Sequence, residues 1–187
     1  MTSPHTITAI INEYYPPGAS ARDVFLKHSE AVARKALQAA RKVLHLHPDL
    51  EFVEQAAMLH DIGIFYARAP EIGCFGEYPY ICHGYLGRQL MEDKGLFRHA
   101  LVCERHVGVG LTLEEIRKYN LPLPHRDMVP VSLEEQVVCY ADKFFSKKPD
   151  KREEWPVEMV LKSLEKYGPH KVARFKEWLA FFGETYK

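Results

Sequence analysis

The sequence has no net charge, few cysteines and no long apolar run. Lys plus Arg and Asp plus Glu each number 25. Such a balance is poorly suited to gripping a nucleic-acid backbone, where clustered Lys and Arg gain affinity by releasing counterions. No nucleic-acid polymer is therefore expected as a partner. The four cysteines, Cys74, Cys82, Cys103 and Cys139, form no CxxC pair and no zinc-knuckle spacing. They read as reduced thiols, packed as small apolar groups in a cytoplasmic protein. No apolar stretch approaches the roughly 18 residues of a membrane-spanning helix. The opening MTSPHTITAIINEYYPPG lacks the basic-then-apolar order of a signal peptide, so no membrane partner is expected. Internal repeats, low-complexity tracts and sustained period-2 alternation are also missing. The 187 residues read as one domain, 1–187.

What is present is helical periodicity with punctuation. YYPPG at Tyr14–Gly18 ends a short first helix, and Ser20 is the expected cap of a long one over Ala21–Leu46. Asp49 caps a helix over Leu50–Ile62, with Gly63 as its expected stop. The segment Ile64–Cys82 breaks the pattern, and a loop of that length in a small domain is usually functional. Further helices are expected at His83–Lys94, Leu96–Arg105, Leu113–Tyr119, Ser132–Ser146, Val157–Tyr167 and Pro169–Phe182. Thr112 with Glu115, and Ser132 with Glu135, have capping-box spacing. The fold class is all-α: a compact bundle of short helices, with the C-terminal helices of 157–182 packed on it.

Ten histidines are many for a domain of this size. His28, Asp61 and Asp142 fall on or beside the apolar stripe of their helices, where the pattern calls for an apolar residue. A buried carboxylate is very costly unless paired or bound to metal. Imidazole with carboxylate suits Fe, Mn, Co, Ni or Zn, with Mg also possible, and the lack of matching thiolates argues against a closed structural zinc site. His60 and Asp61 are adjacent, so their side chains diverge by about 100° and reach one cleft only near a helix end or bundle centre. A His-Asp pair alone is weak evidence, since chance supplies roughly 0.4 per chain of this composition. The ordered set around it is stronger. It runs His28 in LKHSEAVAR, His60-Asp61-Ile62-Gly63 in AAMLHDIG, His83 in ICHGYLGRQLM, His106 in CERHVGVG and Asp142 in CYADKF.

That set resembles the HD-domain superfamily of metal-dependent phosphohydrolases in its HDIG form, over about Asp23 to Lys147. The segment RHVGVGLTLEEI with VSLEEQVVCYADKF is also similar to small HDIG proteins and, more loosely, to HD-type dinucleoside tetraphosphatases. The resemblance implies one or two divalent ions. His28, His60, Asp61 and Asp142 would hold the first, and His83 and His106 the second, with Asp61 bridging and Asp61 and His60 central to catalysis. It also implies a metal-activated water that cleaves a phosphoester or phosphoanhydride of a small phosphorylated molecule, with a nucleotide or dinucleoside polyphosphate expected. Two departures weigh against cyclic dinucleotides: Ile64 stands where many relatives have Lys, and the GYP signature is missing. A di-iron oxygenase of the same superfamily and a non-catalytic metal-binding sensor are the alternatives.

Around this set, Lys27, Arg105 and Lys143, which adjoin ligands, and Arg88, about 1.4 turns after His83, are candidates to orient phosphate. The remaining histidines, His5, His45, His47, His99, His125 and His170, read as non-ligands, with His99 the nearest to an exception. Phe65, Tyr66, Phe75, Tyr78 and Tyr80 could stack on a base or simply pack the loop down. The basic run Lys143, Lys147, Lys148, Lys151 and Arg152 reads as a solvated helix end and connector.

Overall fold

Local cap chemistry marks where several helices begin. In the computed structural model, which describes residues 4–147 and 154–183, the Asp49 side chain accepts from Phe52 N, and that of Ser132 from Glu135 N. Thr112 and Glu115 complete a reciprocal capping box. The helices are α1 (Pro4–Tyr14), α2 (Arg22–Lys42), α3 (Leu50–Leu59), α4 (His83–Asp93), α5 (Phe97–Arg105), α6 (Leu113–Lys118), α7 (Leu133–Asp142), α8 (Val157–Glu165) and α9 (Pro169–Phe181). None of the described helices is long and apolar enough to cross a membrane.

Three expectations are corrected in detail. Ser20 does not cap α2: Ala21 stands at that position, and the Ser20 hydroxyl donates to Gly73 O instead. The helix stops at Lys42, and Leu44–Leu46 tightens into a 3-10 turn. The segment after Gly63 is not wholly irregular. It holds 3-10 turns and a two-stranded antiparallel ribbon, β1 (Arg68–Ala69) and β2 (Cys74–Phe75), with Arg68 opposite Phe75.

Two apolar clusters meet at the middle of the molecule. One joins Val32, Ala36 and Ala40 of α2 to Val53 and Ala57 of α3, Val137 and Ala141 of α7, and Phe175 and Leu179 of α9. The other joins Ile7 and Ile11 of α1 to Phe25, Leu59, Ile62, Leu90 and Cys103. Alanines at the α2 contacts let α3 and α7 approach closely, because the interaxial distance follows the side chains between helices. Helices α2, α3 and α5 contribute to both clusters. His28, His60 and His106 occur where those helices pass from one cluster to the other.

Gly63 has a role other than the expected helix stop. The α3 helix already ends at Leu59, and Gly63 lies inside a 3-10 segment, Ile62–Tyr66. A Cβ there would stand 2.2 Å from His83 O and 2.3 Å from Gly87 N, so the glycine permits direct backbone contact with α4. Gly63→Ala is therefore expected to push α4 away. It should cost about 1–3 kcal/mol, as overpacking does, and lower Tm by roughly 2–12 °C for a chain of this size. A Tm within 1 °C of the parent, by calorimetry, would show that the contact relaxes freely.

A buried lysine ties the C-terminal helix to the body. Lys171 on α9 donates to Gly110 O at 2.6 Å and contacts the Glu115 carboxylate at 2.6 and 2.7 Å. Burial opposes ionisation of Glu115, but Lys171, the Thr112 main chain and His170 outweigh it and lower its pKa to about 2. A carboxyl depressed on folding contributes stability that is present above its ordinary value near 4.5 and lost as pH falls toward 2. Urea melts of the wild type and Glu115→Gln should thus differ at pH 5–7 and converge as pH approaches 2. A gap that persisted at pH 2 would contradict the ion pair.

Candidate metal centre

The ends of α3, α5 and α7, the start of α4 and the body of α2 aim polar side chains at one buried point. His60 is the cap residue following α3, and Asp61 follows with φ −102° and ψ 8°. This break from helical geometry lets two adjacent residues face the same cleft. His83 opens α4, His106 follows α5, and Asp142 is the last residue of α7. All six residues are buried, with His60 and Asp61 fully so.

The donor atoms form two groups that share one carboxylate. His28, His60, Asp61 and Asp142 each offer an atom within 4.8 Å of the others, as do Asp61, His83 and His106. In the first group, Asp61 Oδ2 lies 3.1 Å from His28 Nε2 and 2.9 Å from His60 Nε2. Asp142 Oδ1 lies 3.1 and 3.5 Å from the same nitrogens. In the second group, Asp61 Oδ1 lies 3.3 Å from both His83 Nε2 and His106 Nε2. The two carboxylate oxygens therefore face different imidazole pairs.

Three of the imidazoles have their outward nitrogen set by the main chain. Nδ1 of His60 lies 2.6 Å from Ala57 O, that of His83 2.6 Å from Tyr80 O, and that of His106 2.7 Å from Cys103 O. A carbonyl only accepts, so each Nδ1 carries the hydrogen, and in the neutral ring Nε2 is left with a lone pair. Nε2 of His83 and of His106 then face each other at 3.1 Å, lone pair to lone pair, and Nε2 of His28 and His60 stand 3.3 Å apart. Among the described residues, neither Asp61 oxygen has a hydrogen bond of acceptable geometry. Such an arrangement repels itself unless a cation sits among the atoms. Donors sharing one ion at bonds of about 2.1 Å stand roughly 3.0 to 3.4 Å apart, which is the spacing seen here. The donor set fits a divalent metal of the borderline class.

The electrostatics agree. Burial opposes the charge on Asp61, yet His60 and Lys147 hold its carboxyl well below the ordinary range. Asp142 is held low in the same way, chiefly by Lys143 against the effect of burial. Burial lowers His83 to about 3, leaving it neutral as a ligand must be, and lowers His106 too. His60 differs: burial would lower it, but Asp61 and Asp142 together raise it to about 9.

The profile of the HD domain family matches residues 25–146. The chain belongs to the HD domain family. Among curated relatives, an uncharacterized protein of Methanocaldococcus jannaschii is 34% identical over 120 residues, covering 63% of each chain. The tRNA (cytidine(56)-2'-O)-methyltransferases of Picrophilus torridus and Thermoplasma volcanium are 31% and 32% identical over 128 and 133 residues. Those matches take in 68% and 71% of this chain but only 33% and 34% of the methyltransferases. The chain thus spans less than two thirds of each of these relatives. No solved structure matches it significantly.

The other candidates separate in this HD domain. Lys143 Nζ is 2.8 Å from Asp142 Oδ2, and Lys27 is exposed on the rim near His28. Arg88 and Arg105 are not free to orient a ligand: Arg88 is held by Glu92 and buried Glu104, and Arg105 by Glu135. His99 lies away from the cluster, edge-on to Phe52 at 4.9 Å, beside a separate cleft of about 400 Å³. His45, His47, His125 and His170 join neither donor group, and the side chain of His5 lies outside the described residues. All four cysteines are free and buried. Of the loop aromatics, Phe65 and Tyr66 meet edge-on, and Phe65, Phe75, Tyr78 and Tyr80 are exposed.

Lys147 is the residue that sequence reasoning placed wrongly. It was expected to be solvated, but its Nζ lies 2.6 Å from Asp61 Oδ2, with the side chain 15% exposed. It follows the end of α7 by five residues, and no periodicity carries a signal past a helix end. Lys148, Lys151 and Arg152 of the same run lie outside the described residues.

Proposed function

We propose that this HD domain is a metal-dependent phosphohydrolase acting on a small phosphorylated molecule, a nucleotide or dinucleoside polyphosphate. The observation that carries the reading is Asp61: a fully buried carboxylate with one oxygen toward each imidazole pair. His28, His60, Asp61 and Asp142 would hold one divalent ion, and Asp61, His83 and His106 a second. Bound there, such ions lower the pKa of a water and polarise a phosphoryl oxygen.

The chain's own contribution is positioning and exclusion of solvent. Main-chain carbonyls of Ala57, Tyr80 and Cys103 fix three ring orientations in advance, so no reorganisation is needed during reaction. Leu59, Ile62 and Ala141 beside the ligands are fully buried, which keeps the local dielectric low and strengthens every charge interaction. The net reaction adds water across a P–O bond: its oxygen goes to phosphorus and one proton to the leaving oxygen. His60 and Asp61 are the residues on which turnover should depend most. The methyl transfer named for the Picrophilus and Thermoplasma relatives is not carried over to this chain, which matches only 33% and 34% of those proteins.

The test is metal analysis of the purified protein with product detection: inorganic phosphate from nucleotides, and nucleotides from dinucleoside polyphosphates. Phosphate release that requires Mn or Zn, proceeds without oxygen and stops on chelation is expected. Turnover that needed O₂ and released no phosphate would replace hydrolysis with oxygenase chemistry.

A further inference from the structure

The acidic pair of the metal centre carries two ammonium groups that no metal ligand set needs. Lys147 Nζ is 2.6 Å from Asp61 Oδ2, and Lys143 Nζ is 2.8 Å from Asp142 Oδ2. Both side chains are largely covered, at 15% and 17% exposure. The Tyr80 hydroxyl lies within electrostatic reach of Lys147, and the Tyr80 ring packs on His83 at 4.8 Å. The space beside His28 amounts to about 30 Å³, room for one water, and Lys147 lines it with Lys27, Phe145 and Ser146.

Other buried lysines behave differently. Lys171 is fixed between the Gly110 carbonyl and Glu115, a carboxylate that Thr112 and His170 also engage and that belongs to neither donor group. Lys143 and Lys147 instead sit on carboxylates that a metal would claim. Counting the two carboxylates against the two ammonium groups alone, the charges cancel. One divalent ion then leaves two positive charges in surplus, and a second ion leaves four, because ligating imidazoles are neutral. A surplus of that size in a covered site is very costly unless an anion enters. A terminal phosphoryl group is mostly dianionic at pH 7, since its second pKa is about 6. An internal diester phosphate carries a single charge and would leave an ammonium unpaired.

We propose that Lys147 and Lys143, with the Tyr80 hydroxyl, form the seat of a terminal dianionic phosphoryl group, so that the substrate is a phosphomonoester or terminal phosphoanhydride rather than an internal diester. The proposal rests on the phosphohydrolase reading and narrows it to nucleotides and other phosphomonoesters, since a dinucleoside polyphosphate has no terminal phosphoryl group. Lys147 balances Asp61 until metal binds. It then leaves that oxygen, widens the narrow space it lines and presents its ammonium to the incoming anion.

The test uses the metal-loaded protein and two probes, inorganic phosphate and dimethyl phosphate, with affinities measured by calorimetry and metal content by elemental analysis. The wild type should bind inorganic phosphate at least tenfold more tightly than dimethyl phosphate. Lys147→Met should lose tenfold or more of the phosphate affinity at unchanged metal content, while Lys147→Arg retains it within about threefold. Lys143→Met provides an independent variant if Lys147→Met does not fold, with the same loss expected. In turnover, p-nitrophenyl phosphate should exceed bis(p-nitrophenyl) phosphate by a hundredfold or more. Wild-type phosphate affinity in both methionine variants, or preference for the diester probe, overturns the seat but leaves the hydrolase reading intact. A wild-type protein that binds metal and phosphate yet hydrolyses no phosphate ester overturns the hydrolase reading alone.

Discussion

Asp61→Ala should empty both halves of the metal centre at once, because its two oxygens face the two imidazole pairs separately. Loss of His83 or His106 would touch one half only. Metal ions contribute several kcal/mol to stabilising a phosphoryl transition state, so turnover in the variant should fall by at least about a thousandfold. A second readout is thermal. At a hundredfold excess over its Kd, a metal adds about 2.7 kcal/mol to the stability of a protein that binds it only when folded. The wild type should therefore melt at a higher temperature with metal than with chelator, and Asp61→Ala should melt at the same temperature in both. Asp61→Asn, which keeps the shape but offers a weaker donor, should resemble Ala in metal content. Unchanged turnover in a folded Asp61→Ala protein would remove the proposed chemistry.

Metal loading should release a proton and strengthen as pH rises. In the metal-free protein burial alone would discharge His60, but Asp61 and Asp142 outweigh it and hold the ring's pKa at about 9. At pH 7 the ring is thus cationic, and its proton stands where a metal's charge would be. A ligand imidazole must be neutral, so binding expels that proton. Apparent affinity should rise about tenfold per pH unit below 9. Calorimetry at pH 7 in two buffers of different ionisation enthalpy should report about one proton released per first metal bound. The stability consequence has a definite sign. A group raised on folding contributes stability that is fully present below its ordinary value, here 6.5, and lost as pH climbs through the folded value. Metal-free protein should therefore weaken between pH 6.5 and about 9, and metal-loaded protein should not. An affinity independent of pH from 6 to 8 would contradict this account.

The proton and the two lysines express one property of the site. Two buried carboxylates of opposite helices require positive charge near them, and the metal-free protein supplies it from His60, Lys143 and Lys147. A divalent ion exchanges with the first and releases the others toward substrate.

Much of this architecture was legible along the chain because its causes are local. Asp49, Thr112 and Ser132 cap the next turn through bonds spanning three residues, and sequence shows such spacing directly. The apolar stripes of α2, α3 and α7 show in the 3.6-residue period, and so does the anomaly of His28, Asp61 and Asp142 on them. Where causes were distant, the reading failed. Ser20 has the right chemistry for a cap, yet its hydroxyl found a better acceptor in Gly73, 53 residues away. Arg105 adjoins His106 and Arg88 follows His83 by about a turn and a half, but buried Glu104 and Glu135 draw them elsewhere.

By itself the sequence determined an all-helical bundle and marked His28, Asp61 and Asp142 as anomalies on apolar stripes, because residue type and helical period are properties of neighbours; the resemblance to the HD superfamily added His60, His83 and His106. Only the tertiary structure decided which donors share an ion, that Gly63 serves contact with α4 rather than a helix stop, and that Lys147 turns inward to Asp61. Those outcomes depend on side-chain direction at helix ends and on backbones from distant segments meeting within a few ångströms. No repeat along the chain encodes such meetings; packing and the balance of buried charge select them.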